Sequence, residues 1–270
     1  MKLCCAQIPQ IYDDPAAAFE RAEEFIAGSD ADMIIFPEQY ACGWRAVPCS
    51  AFGYDGEQVC GMWRSLAVKY HKCLIGSYLE MPSAEGAEKV TEDGAGEGKP
   101  FNTFFAVSPE GETLARYHKI HLFSPAGEDA HFSPGKSPAV FSFGGIRFGC
   151  AVCFDLRFPE LFREYLRMGC ECVIVQTAWP AARIADWELL LRARAMENRC
   201  YIAGCCTIGY DAATGTDYCG RSLICSPDGK ILADAGVFEG GCEAVFDADE
   251  VTSSVAELRA VWIPGVLDTD

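Results

Sequence analysis

Residues 101–117, FNTFFAVSPEGETLARY, decide the architecture. An apolar, strand-favouring run meets a Ser-Pro-x-Gly turn and resumes in a second run, which predicts a β-hairpin. Residues 220–235, GRSLICSPDGKILADA, repeat the form. The echo points to two sheets of similar build, related by pseudo-symmetry.

Between the hairpins, GGIRFGCAVC (144–153), CECVIVQTAW (170–179) and YIAGCCTIG (201–209) read as strands. Helices are predicted from Phe158 to Met168 and over ADWELLLRARAMENRC (185–200). Before the first hairpin, KLCCAQI (2–8) is a buried strand, and Asp14-Pro15 opens a helix that runs to Ala27. MIIFPE (33–38) is a strand ending at Pro37-Glu38, residues 57–71 are helical, and CLIGSYLE (73–80) is a strand. Pro82 to Pro100, rich in Gly and Glu, reads as an exposed loop within one domain, because strand patterns resume at once. Crossover helices mixed with hairpins predict an α/β fold of mixed sheets covered by helices. No break in composition divides residues 1–270.

Half of the 270 residues are apolar and 23% are charged, which fits a globular chain with a substantial core. The net charge of −17 opposes a nucleic-acid or anionic-membrane partner, though it says little about any one pocket. The opening MKLCCAQIPQ is too short for a secretory segment, and no run approaches the roughly 18 apolar residues of a membrane span, so a cytoplasmic protein is expected. There the sixteen cysteines stay reduced. Cys4, Cys5, Cys172, Cys205 and Cys206 stand in apolar runs and read as small core hydrophobes.

Cys153 is different. It ends a strand just before a Pro-marked helix start, on a sharp turn of the kind that presents nucleophiles. A helix N-terminus at that point lowers a thiol pKa. Strand alternation sends Cys150 to the opposite face, and its position inside the strand argues against a redox pair. A nucleophilic thiol needs a base. Glu38 ends a strand, where acidic side chains line the functional edge of α/β sheets, and Lys119 follows another strand. Taken alone, Glu38 reads equally as a loop carboxylate and Lys119 as a surface lysine.

Together, FPEQY with Glu38, YHKIHLF with Lys119 and CFDLRFPE with Cys153 resemble the nitrilase superfamily, the carbon–nitrogen hydrolases. WELLLRARAMENRCYIAG resembles the family's long helix and following strand, and AGEDAHFSPG its second-glutamate loop, here with Glu128. HLFSPAGEDAHFSPG and TAWPAARIADWELLLRARAMENR are similar to the bacterial omega-amidase branch. The resemblance spans almost the whole chain. It implies a four-layer αββα sandwich with two mixed sheets, forming a homodimer. It implies Glu38, partly buried beside Lys119, as general base and Cys153 as nucleophile. Lys119 and the backbone N–H of Phe154 would form the oxyanion hole, with Glu128 in support. No metal or organic cofactor is required. The implied substrate is a small carboxylate-bearing amide such as 2-oxoglutaramate or 2-oxosuccinamate. Deaminated glutathione or a carbamoyl amine is an alternative that one or two pocket side chains would decide.

Tyr40, Trp44 and Trp179 are candidate pocket walls or ordinary packing. Arg157 either binds a substrate carboxylate or pairs with Asp155, Glu160 or a helix residue. His118, His121 and His131 raise a Cys–His arrangement, and Cys170-x-Cys172 a zinc site, but neither set has the expected neighbours. The cysteine number also supports a second class, a thiol redox sensor or metal-binding protein. It predicts function spread over several thiols, whereas the amidase reading predicts one indispensable Cys153 with a low pKa.

Overall fold

The computed structural model describes residues 1–48, 56–82 and 98–247, with 249, 251–253 and 256. The first half of the chain runs β1 (Lys2–Gln7), α1 (Pro15–Gly28), β2 (Met33–Ile35), α2 (Gly56–Tyr70), β3 (Cys73–Glu80), β4 (Phe101–Val107) and β5 (Thr113–His118). A short helix α3 (Glu128–His131) leads to β6 (Val140–Phe143), β7 (Ile146–Val152), α4 (Pro159–Arg167), β8 (Cys172–Thr177), α5 (Ile184–Asn198) and β9 (Tyr201–Cys206). The ribbon β10 (Ile208–Asp211) and β11 (Thr216–Cys219) follows, then β12 (Leu223–Cys225), β13 (Ile231–Asp234) and β14 (Gly240–Val245).

Two six-stranded sheets form, ordered β14-β1-β2-β3-β4-β5 and β6-β7-β8-β9-β12-β13. Along each order the pairings read antiparallel, parallel, parallel, antiparallel, antiparallel. The expected pseudo-symmetry is therefore present strand for strand. The two quoted hairpins occupy matching places, β4–β5 and β12–β13. Each has a register shift at its turn end. In each, the turn serine's N–H donates across to Glu112 or Lys230, and the turn glycine's N–H donates back to the serine carbonyl.

Alternation builds the four layers. Leu3, Cys5, Met33, Ile35, Cys73 and Ile75 face the second sheet and join one continuous core with Phe148, Cys150, Ile174 and Ala203. Cys4, Ala6, Ile34 and Leu74 face the other way and meet Phe19, Ala22, Ile26 and Trp63 of α1 and α2. Helices α4 and α5 cover the second sheet through Phe162, Tyr165, Trp187 and Leu191. Close helix approach needs glycine in the strand beneath. A Cβ on Gly76 would collide with the Trp63 ring, and one on Gly204 with Trp187 and Leu191. The fold is the αββα sandwich with two mixed sheets.

The first helix starts as the sequence indicates: Asp14 Oδ1 accepts from the Ala17 N–H at 3.0 Å, with Pro15 in the first turn. Other boundaries differ. The strand read to Glu38 stops at Ile35, and the one read to Trp179 stops at Thr177, leaving Glu38, Ala178 and Trp179 on loops. The strand read as 201–209 breaks at Thr207, whose hydroxyl donates to the Ile8 carbonyl instead of extending a ladder. The β6–β7 hairpin was readable in principle: Gly144 and Gly145 both take positive φ in a two-residue turn. Of the loop expected over 82–100, residues 83–97 lie outside the described residues.

None of the fifteen cysteines among the described residues is joined in a disulfide, and all but Cys153 and Cys219 are buried. Thirteen thiols thus act as core packing, as the apolar runs indicate. Among the described residues no helix is long and apolar enough to cross a membrane.

Candidate active site

The chain leaves β7 and turns at Cys153, which takes φ +48°, a left-handed conformation that costs a non-glycine residue about 1–2 kcal/mol. Asp155 over-determines the turn. Its Oδ2 accepts from Val152 N–H (2.9 Å) and the Tyr117 hydroxyl (2.7 Å), and its Oδ1 from His121 N–H (2.9 Å). The nucleophile turn is thereby tied to β5 and to the segment carrying Lys119. Strain held at a candidate nucleophile is a feature of functional sites.

Beside the thiol lies a fully buried charged set. Lys119 Nζ is 2.8 Å from Glu38 Oε1 and 2.8 Å from Glu128 Oε2, all three side chains without solvent exposure. Asn102 on β4 donates Nδ2 to Glu38 Oε1 at 2.9 Å and to Glu128 Oε1 at 3.0 Å. The Phe123 N–H donates to Glu128 Oε2 (2.6 Å), and the Ala178 N–H to Glu38 Oε2 (3.2 Å). Buried charges persist only when paired and bonded in this way.

Burial raises the Glu38 pKa above the ordinary carboxylate value, against the lowering influence of Lys119 and Asn102. Burial alone would lower Lys119, but Glu128 and Glu38 outweigh it and hold the ammonium charged. The Cys153 thiol is raised, first by burial and then by the Glu38 charge, with Lys119 opposing. The low thiol pKa expected from sequence is therefore overturned. A five-residue 3₁₀ turn, Cys153–Arg157, separates the sulfur from α4, so the helix N-terminus is too far along the chain to act. Glu38 is likewise fully buried where partial burial was expected.

Cys153 opens into a cavity of about 350 Å³ lined mainly by Trp44, Phe123, Phe154, Trp179 and Tyr218, with Arg45, Arg157 and Arg183. Trp44, Trp179 and Arg157 thus fall where sequence suggested. Tyr40 does not: Gln39 takes φ +50°, and Tyr40 turns into the layer between sheet and helices, 5.2 Å from the Phe36 ring. Arg157 pairs with a helix residue, Asp186 of α5, at 2.7 Å, and not with Asp155 or Glu160, and its guanidinium lies 5.1 Å over Trp179. His121 bonds Asp155 through Nδ1 and stacks on Phe158 at 3.7 Å; His118 bonds Glu80. His131 sits exposed at the end of α3. Among the described residues no group of three or more His, Cys, Asp or Glu is placed to hold a metal ion.

Asn102, Asp155, Tyr218 and Arg183 were not singled out from sequence for these positions. Asn102 is one polar residue in a strand, and Tyr218 belongs to a ribbon whose alternation is weak. Only the fold brings either to the site.

The carbon-nitrogen hydrolase family model matches residues 2–259. The chain is 32% identical over 271 residues to the omega-amidase YafV of Yersinia enterocolitica, covering 100% of this chain and 97% of that one. It is 28% identical over 250 residues to the 2-oxoglutaramate amidase of Bacillus subtilis (strain 168), covering 92% and 91%. Among solved structures, an amidase from Nesterenkonia sp. AN1, as a cysteine-to-alanine mutant in complex with butyramide, superposes with TM-score 0.80 at 26% identity, covering 97% of each chain. Another structure of that amidase shows covalent addition of the acetamide moiety of fluoroacetamide at its active site cysteine.

Proposed function

The chain belongs to the carbon–nitrogen hydrolase family and is a hydrolase of amides, and on that premise we propose that it releases ammonia from a small carboxylate-bearing amide of the 2-oxoglutaramate or 2-oxosuccinamate type through a thioester on Cys153. The observation that carries the reading is the buried Glu38–Lys119–Glu128 set beside a strained cysteine at the cavity.

In this reading Glu38 takes the thiol proton, and Cys153 Sγ attacks the amide carbonyl. A raised carboxylate pKa suits this duty, because it makes the ionised group a stronger base. The transfer conserves the charge of the set, which offsets part of the cost of ionising a thiol that burial has raised. The set holds one net negative charge before it, on Glu38, and one after it, on sulfur. Attack then moves that charge to the carbonyl oxygen. Lys119 Nζ bonds Glu38 Oε1 at 2.8 Å and both Glu128 oxygens, at 2.8 and 3.2 Å; giving up the longer Glu128 contact turns one N–H to the oxyanion, together with the Phe154 N–H. Glu38 returns its proton to the leaving nitrogen, ammonia departs, and the thioester remains. Glu38 next draws a proton from water, which hydrolyses the thioester and frees Cys153. Glu128 holds Lys119 charged and in place.

The mainly apolar walls suit a short carbon chain, and the names of the two relatives above, matched over 92% and 100% of this chain, favour a 2-oxo acid amide over deaminated glutathione or a carbamoyl amine. A single-domain cytoplasmic homodimer belongs to the same proposal and is checked by sedimentation. The deciding experiment is ammonia release from 2-oxoglutaramate by the wild type and Cys153→Ala, with glutamine and a simple nitrile as controls. Activity on the oxo-amide that vanishes in the variant is expected. Hydrolysis of glutamine or the nitrile in its place would reject the substrate, and activity surviving in Cys153→Ala would reject the mechanism.

A further inference from the structure

Three arginines line the cavity that holds Cys153. Two are neutralised by aspartates: Arg45 Nη1 lies 3.0 Å from Asp211 Oδ2, and Arg157 Nη2 lies 2.7 Å from Asp186 Oδ2. Arg183 has no ion-pair partner among the described residues. Its guanidinium sits 5.2 Å over the Phe123 ring. Carboxylates are not scarce, since the chain carries 39 acidic residues against 22 basic ones.

The position is also an unfavourable one for a cation. Arg183 is the N-cap of α5 and supplies no capping bond, and the positive end of a helix dipole disfavours an arginine there. What holds the residue is its backbone carbonyl, which accepts from Trp179 Nε1 at 2.8 Å and so fixes it to the cavity wall. Arg183 is exposed, so its charge stays solvated. Phe123 packs against the guanidinium and orients it without consuming its N–H donors. A planar fork held in this way matches a carboxylate bidentately.

We propose that Arg183, and not Arg157, binds the carboxylate of the substrate and sets the preference for an acidic amide over a neutral one. The assignment rests on the amidase reading above and deepens it. Arg157, engaged by Asp186 and laid over Trp179, positions the cavity wall. The amide end of the substrate reaches Cys153, and the acid end meets the one uncompensated cation among Arg45, Arg157 and Arg183.

The test compares kcat/KM for 2-oxoglutaramate with that for pentanamide in the wild type, Arg183→Gln, Arg183→Lys and Arg157→Gln. Arg183→Gln is expected to lower this selectivity ratio on the order of 10- to 100-fold, the range for a lost charge-assisted bond, mainly through KM for the acidic amide. Arg183→Lys recovers part of it. An unchanged ratio in Arg183→Gln, or a larger fall in Arg157→Gln, overturns the assignment. A wild type without preference for the acidic amide rejects the substrate reading instead. Arg183 is then judged by glutarate protection of Cys153 against iodoacetamide. Protection lost in Arg183→Gln supports it; equal protection in both proteins, or none in either, overturns it.

Discussion

Replacing Asn102 by leucine tests the buried network at a residue that touches neither thiol nor solvent. Two bonds to carboxylates are lost, at 2.9 and 3.0 Å. Bonds to charged groups contribute about 1.5–3 kcal/mol each. The low end applies, because Lys119 still bonds both Glu38 and Glu128. Against the resulting loss of about 3 kcal/mol stands the Asn102 Oδ1, a buried acceptor with no partner, whose removal returns about 1 kcal/mol. The net destabilisation is about 2 kcal/mol, or roughly 4–8 °C in Tm for a chain of this size. The second effect is on pH. The Asn102 bond favours the charged form of Glu38, so its loss raises a carboxylate that burial has already raised. About 1.5 kcal/mol corresponds to about one pH unit. The acid limb of kcat/KM, which reports the base in the free enzyme, should move to higher pH by that amount. Variant and wild type should differ about tenfold on the acid side and converge on the alkaline side. Superposed profiles, or a drop equal at every pH, would refute the reasoning that Asn102 tunes the base.

Lys119→Met leaves two buried carboxylates without their cation and should cost about 3–5 kcal/mol, read as a Tm fall together with lost ammonia release. A folded, active Lys119→Met would contradict the charge accounting. Cys153→Gly relieves the positive φ and should be inactive yet about 1 kcal/mol more stable to denaturant than Cys153→Ala; the opposite order would show that the turn is unstrained. Asp155→Asn puts an amide donor among Val152 N–H, Tyr117 O–H and His121 N–H, so a loss of about 2–3 kcal/mol and a lower kcat are expected, measured by melting and by turnover of 2-oxoglutaramate.

The sheets were legible because the two Ser-Pro-x-Gly hairpins carry their own turn chemistry, and Glu38, Lys119 and Cys153, which the structure brings together, stand out as candidates because each stands in a distinctive short motif. The misread residues depend on directions that spacing does not contain. Tyr40 follows Glu38 by two positions, yet the positive φ at Gln39 sends it to the helix-side core. The thiol pKa was misjudged because the sequence shows a proline-marked helix but not the 3₁₀ turn placed before it. Asn102 stands inside the stretch that set the fold, but a lone asparagine in a strand has no local signal of two carboxylates arriving from loops far along the chain.

The pseudo-symmetry explains why the proposed site occurs once. Leu3, Met33 and Cys73 are aligned across β1–β2–β3 as Phe148, Cys172 and Tyr201 are across β7–β8–β9. The same step forward from Leu3 and Phe148 lands on Ile8 and Cys153; from Met33 and Cys172 it lands on Glu38 and Thr177. Ala115 and Ala233 are matched through β4 and β12, and four residues further on stand Lys119 in one half and Val237 in the other. The first half thus supplies the carboxylate and the ammonium, and the second supplies the thiol. Their counterparts are an apolar core residue, an exposed valine and a threonine beside the sulfur. Both central strand pairs are parallel, so their carboxyl ends open on the same crevice, where open α/β sheets bind ligands. Neither half contains a complete acid–base set. Only face-to-face packing of the two sheets brings Glu38 under the Ala178 N–H that follows β8. The interface that buries the core is therefore also the one that assembles the site.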